Sequence, residues 1–113
     1  MASRRKTPHH HSVYVVELDP AVLDHDRFRR ANPNHDLRKA CLYVGCTGLS
    51  PERRFANHKA GVKAAGVVRR FGERLVPKLY AHLNPMPYDK AVRMEAALAD
   101  SLRKRGFQVF GGH

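Results

Sequence analysis

The segment "YDKAVRMEAALADSLRKRG" (88–106) is the longest helical pattern in the chain, and it contains a conflict. At 100° per residue, Ala91, Leu98 and Leu102 form one apolar stripe, widened by Met94 and Ala99. A stripe of this kind has to be covered by another layer of structure. Glu95 falls inside it, between the directions of Leu102 and Ala99, whereas every other charge on the segment lies at the edge or opposite. A carboxylate turned toward a core is costly unless it is paired or binds a cation. Two partners are open at this point: one of the chain's many arginines, or a divalent metal.

The rest of the chain supplies candidates for the covering layer. "SVYVVEL" (Ser12–Leu18) is rich in β-branched residues and reads as a strand; "ACLYVG" (40–45) reads as a second, ended by the turn "GCTG". Between them, Asp19-Pro20 opens a short helix over about 20–31, and "NPN" marks a loop. "SPERRFANHKAG" has Ser50 as N-cap, Pro51 at the first helical position and Gly61 as a stop. Gly66 and Gly72 interrupt the next stretch, which reads as a short helix over 63–71 and an extended segment around 74–80. "NPMP" is a hard break, and "FQVFGG" closes the chain as a strand. The order β-α-β-α-α-β-α-β implies one compact α/β domain with a small sheet over 12–113, preceded by a flexible basic arm over 1–11 and carrying an insert over about 19–39.

Charge narrows the partner. Lys and Arg number 21 against 10 Asp and Glu, a net +11 in 113 residues. Such an excess favours a polyanion through phosphate contact and counterion release. Nucleic acid fits better than an anionic membrane, because the chain has no Trp and no basic amphipathic helix with a broad apolar face. No apolar run approaches the roughly 18 residues of a membrane span, and the N-terminus lacks the apolar core of a secretory signal. Cys41 and Cys46 match neither a disulfide framework nor a zinc pair, so they read as reduced thiols of a cytoplasmic protein. His9, His10 and His11 read as a solvated tail. Arg27, Arg29, Arg30 and Arg38 in the insert, with Arg69, Arg70, Arg74 and Lys78 further on, can track a strand; Phe28, Phe71 and Tyr88 can stack on exposed bases.

The densest chemistry lies in "LYVGCTGLSPERRFANHKAG" (42–61). Arg54 and His58 are four apart and share a helix face. Tyr43 stands just before a tight glycine turn, and Tyr14 holds a similar place on the earlier strand, so paired strands can set two phenols side by side.

Taken together, "VYV" (13–15), "YVG" (43–45), the Arg54-x-x-x-His58 pair and Glu95 on a late helix resemble the GIY-YIG nuclease superfamily over about residues 12 to 105. The resemblance implies a small three-stranded, mostly antiparallel sheet flanked by helices, and metal-dependent hydrolysis of a DNA phosphodiester, single- or double-stranded. It makes Tyr14, Tyr43, Arg54, His58 and Glu95 the catalytic set, with Glu95 the lone protein ligand of Mg²⁺ or Mn²⁺. That would answer the inward carboxylate. Arg54 rather than Arg53 is the matching arginine, because it stands four before His58. Gly45, Arg53, Lys59, Arg69 and Arg70 are the expected nucleic-acid contacts. The chain departs from the pattern with Ser12 and Val13 in the first motif and with the long insert; no equivalent is found for an asparagine many members carry near the last strand.

With ten acidic residues and no clustered pair, a two-metal site fits badly. The expected scheme has Tyr14 orienting or activating water, Tyr43 holding the phosphate or sharing that role, and Arg54 stabilising charge on a non-bridging oxygen. His58 assists or competes as base. Two rivals remain: a binding module that kept the fold without the chemistry, and an RNA-binding or ribosome-associated protein.

Overall fold

The computed structural model describes residues 10–24 and 38–112. Four strands form one sheet in the order β3-β1-β2-β4: β1 is Ser12–Leu18, β2 Cys41–Thr47, β3 Gly72–Leu75 and β4 Gln108–Gly111. β1 runs antiparallel to both β2 and β3, whereas β4 lies parallel to β2. The three-stranded, mostly antiparallel sheet expected from the resemblance is therefore corrected to a mixed four-stranded one. Its cause is the long helix α3 (Tyr88–Lys104), which carries the chain back along the sheet so that the closing strand enters beside β2 in the same direction.

β1 is the most buried strand, apolar on both faces apart from Ser12 and Glu17, as expected of a central strand covered on each side. Helices α1 (Pro51–Ala60) and α2 (Gly66–Phe71) contact β1 and β3. α3 lies over the other face, its Ala91, Ala99 and Leu102 buried with Val13, Val15, Leu42, Val44 and Val109. α1 is built as its ends imply: the Ser50 hydroxyl accepts from the Arg53 N–H at 3.1 Å, Pro51 opens the helix, and Gly61 closes it.

Four segments differ from expectation, the first being β2, which runs on through Cys46 and Thr47, paired with Val13 and Ser12, where the turn GCTG was expected. The helix expected over 20–31 is a short 3₁₀ turn at Pro20–Asp24, and the remainder lies outside the described residues, as do Arg27, Phe28, Arg29 and Arg30. α2 starts at Gly66 rather than 63, because residues 61–65 form a turn with Lys63 at φ 47°. The extended segment expected at 74–80 pairs earlier, as β3, and then coils into 3₁₀ turns at Pro77–Leu79 and Ala81–Leu83.

Beyond β3 the edge of β1 would be bare. There the Asn84 side chain behaves like a short piece of strand: its Oδ1 accepts from the Val13 N–H at 2.9 Å, and its Nδ2 donates to the Val13 carbonyl at 2.7 Å. One step on, His11 and Met86 exchange two backbone hydrogen bonds, so the last residue of the expected arm is tied to the fold. Among the described residues no helix is long and apolar enough to cross a membrane.

Candidate active site

The β1–β2 register sets the site. Tyr14 stands opposite Gly45 and Val16 opposite Tyr43, so both tyrosines and Gly45 share the sheet face that α1 covers. Gly45 is buried, and a Cβ there would come within 2.6 Å of the Tyr14 hydroxyl oxygen. Its role is to make room for the phenol.

α1 lays His58 onto this face, with no exposed surface left. The rings of Tyr14, Tyr43 and His58 form a triangle, with centroids 6.2, 6.1 and 6.0 Å apart. His58 Nε2 lies 2.8 Å from the Tyr14 oxygen, and Nδ1 accepts the Ala65 backbone N–H at 3.0 Å. A backbone N–H can only donate, so Nδ1 carries no proton. Burial first, and the Arg54 charge second, push His58 down to about 4. At neutral pH the imidazole is therefore neutral with its proton on Nε2, and that N–H donates to Tyr14.

This arrangement makes a pH prediction. The unfolded chain takes up the His58 proton near the ordinary value of 6.5, the folded one only near 4. Stability from this group is full above about pH 7 and drains away as pH falls from 6.5 to 4, by roughly 3 kcal/mol in all. Urea melts between pH 7.5 and 4 should show that loss in the native chain and a visibly flatter slope in His58→Gln. Parallel slopes would sink the assignment.

Arg54 completes the cluster from the same helix face. Its Nη2 donates to the Lys63 carbonyl at 2.8 Å and its Nη1 to the Val62 carbonyl at 3.3 Å, so the turn after α1 holds the half-buried guanidinium in place. Burial and then Tyr43 raise Tyr14 well above the usual phenol range, with Arg54 pulling it down. Burial and then Glu95 raise Tyr43, against Arg54 and the Tyr14 hydroxyl. Tyr14 is 1% exposed, whereas Tyr43 is only half-buried.

Glu95 comes from α3 on the opposite face, half-buried, and among the described residues it has no ion-pair partner. Its charge reaches both phenols. It also neighbours Cys46, where burial first and the carboxylate second push the thiol up to about 12. Four of the five expected catalytic residues are thus gathered by direct contact or close charge, and Glu95 joins them through its field.

The expected nucleic-acid contacts are placed more diversely. Arg53 is exposed on the first turn of α1. Lys59 is not a free cation: its Nζ donates to the Arg69 carbonyl at 3.0 Å and the Gly72 carbonyl at 2.9 Å, capping the end of α2. The Arg69 guanidinium lies over Gly61, and Arg70 over the Phe71 ring at 5.0 Å; both arginines are exposed.

Three contributors have no counterpart among the sequence-based candidates. The Ala65 N–H fixes the His58 tautomer, and nothing in the sequence marks it. Asn84 stood only as part of a break. Gly111 and Gly112, at φ 88° and 80°, let the chain close over the site; a Cβ on Gly111 would meet the Val44 carbonyl at 2.4 Å and the Tyr43 ring at 3.0 Å. That pair was visible as a double glycine after a strand. Fold and site define a compact α/β domain in which a buried tyrosine–histidine pair, flanked by half-buried Tyr43 and Arg54, lies near a carboxylate that lacks an ion-pair partner among the described residues. Compared with family models, curated proteins and solved structures, the chain matches none.

Proposed function

We propose that the chain is a metal-dependent DNA endonuclease of the GIY-YIG kind, hydrolysing phosphodiesters at a one-metal site. The observation that carries this reading is the buried Tyr14–His58 hydrogen bond set against Tyr43 and Arg54, within the field of a half-buried carboxylate that has no ion-pair partner among the described residues. An ordinary core has no use for so many polar groups in one place.

The donor set suits the metal. Among the described residues no three His, Cys, Asp or Glu converge, which disfavours a caged zinc. A single carboxylate oxygen, completed by water and phosphate, is what Mg²⁺ or Mn²⁺ accepts. Bound at Glu95, such an ion would supply Lewis acidity and would stabilise the leaving oxygen.

The chain's own residues do the rest. Arg54 donates from the part of its fork that Val62, Lys63 and the Tyr14 hydroxyl leave free to a non-bridging phosphate oxygen. Tyr14 is too buried to meet a water, so Tyr43, half open, takes the place beside the nucleophile; this reverses the roles expected from sequence. His58 acts as a donor that holds Tyr14, not as the base, because its Nε2 already carries a proton. The free thiols of Cys41 and Cys46, on opposite faces of β2, suit a reducing compartment such as the cytoplasm.

End-labelled single- and double-stranded DNA incubated with Mg²⁺, with Mn²⁺ and with chelator tests the reading. Cutting in either metal and none in chelator is the expected result. Binding without cutting under every condition would overturn the enzyme and leave a binding module on the same fold.

A further inference from the structure

The inward stripe of α3 outruns its cover. Tyr88, Val92, Glu95, Ala99 and Leu102 follow one another along it, and Tyr88 lies within about 20° of Glu95 around the helix axis. Ala99 and Leu102 are buried and Glu95 half-buried, but Tyr88 is 59% exposed and Val92 36%. Ala91 is fully buried at this end of the helix, so it is the flank of the stripe, Tyr88 with Val92, that stands open beside Glu95. Among the described residues Tyr88 has one ring neighbour there, His11, at 5.1 Å between centroids and 65° between planes. His11 is pinned by its pairing with Met86 and lies over Gly48, and its Nδ1 is buried without a partner. Tyr88 thus has a wall on one side and open solvent on the other.

We propose that Tyr88, walled by His11, is a stacking subsite for an unpaired nucleobase of single-stranded DNA lying across Glu95, an inference that rests on DNA being the partner proposed above. Charge chooses this occupant over a second copy of the chain, since two bodies of +11 repel. An exposed aromatic face accepts any base, whereas a duplex keeps its bases inside the stack. The subsite therefore favours single strands.

Fluorescence anisotropy tests this with a labelled single strand and a blunt-ended two-strand duplex of equal length, at fixed salt and with chelator present. Tyr88→Ala should weaken single-strand binding about 5- to 150-fold and leave the duplex unchanged, while Tyr88→Phe keeps the native affinity. A thermal melt of each variant confirms the fold, which an exposed side chain should not disturb. The proposal is overturned if the native chain binds no single strand, if Tyr88→Ala binds it normally, if both DNA forms weaken together, or if Phe is as poor as Ala. Loss of a dimer in Tyr88→Ala with single-strand binding intact would assign the stripe to self-association instead. Because the assay is free of metal, a protein that stacks DNA but never cuts it would sink the nuclease reading alone.

Discussion

Glu95→Gln should lower cleavage in Mg²⁺ or Mn²⁺ by at least about 10³-fold while leaving fold and DNA binding in place. The amide has nearly the size of the carboxylate, so packing against α3's neighbours is kept and the charge alone is lost. Removing a negative charge from the site should leave metal-free DNA affinity equal or slightly higher. Two further readouts do not depend on activity. The Glu95 charge raises Tyr43, so Tyr43 should ionise at lower pH in the variant, visible as an earlier onset in the ultraviolet titration of the phenols. The same charge helps hold the Cys46 thiol up, so alkylation of Cys46 should accelerate. A single carboxylate holds Mg²⁺ weakly, so the metal should shift the melting temperature little unless DNA is also bound. A Glu95→Gln chain that still cuts at the native rate would remove Glu95 from the reaction.

How much of this was legible in the sequence depends on how local the physics is. The ends of α1 are written in three residues, Ser50, Pro51 and Gly61, because capping is chemistry between near neighbours. Arg54 was separable from Arg53 by its four-residue spacing to His58, and it is Arg54 whose charge acts on the histidine and both phenols. The direction of β4 was not legible, since strand pairing is decided by where a 17-residue helix crosses the sheet. The capping role of Lys59 was hidden for a related reason, since its bonds to the Arg69 and Gly72 carbonyls join groups 10 and 13 residues apart. The two tyrosines looked equivalent on their strands; only the depth of burial separates them, and burial depends on α1 packing over Tyr14. The backbone N–H of Ala65, which sets the state of His58, belongs to a group every residue but proline carries.

Arg54→Ala should cut the rate by about 10²–10³, the usual loss when a donor to developing charge is removed. Arg54→Lys should recover little of it, because a single ammonium nitrogen lacks the planar fork that lets Nη1 and Nη2 hold the Val62 and Lys63 carbonyls while another N–H faces phosphate. Stability should change far less, by about 1 kcal/mol, since both carbonyls lie where water can replace the guanidinium. The site's titrations should move in a definite sense. Arg54 pulls both phenols down, so without it Tyr14 and Tyr43 ionise at higher pH and the alkaline rise of the residual rate shifts upward. It also holds His58 down, so the folded-state value rises from about 4 toward 6.5 and the acid loss of stability shrinks. Rate measurements at saturating DNA separate transition-state stabilisation from binding: a fall in kcat with KM nearly constant is expected. A loss confined to KM, or full rescue by lysine, would make Arg54 a general phosphate anchor, leaving the charge that grows in the transition state to another group.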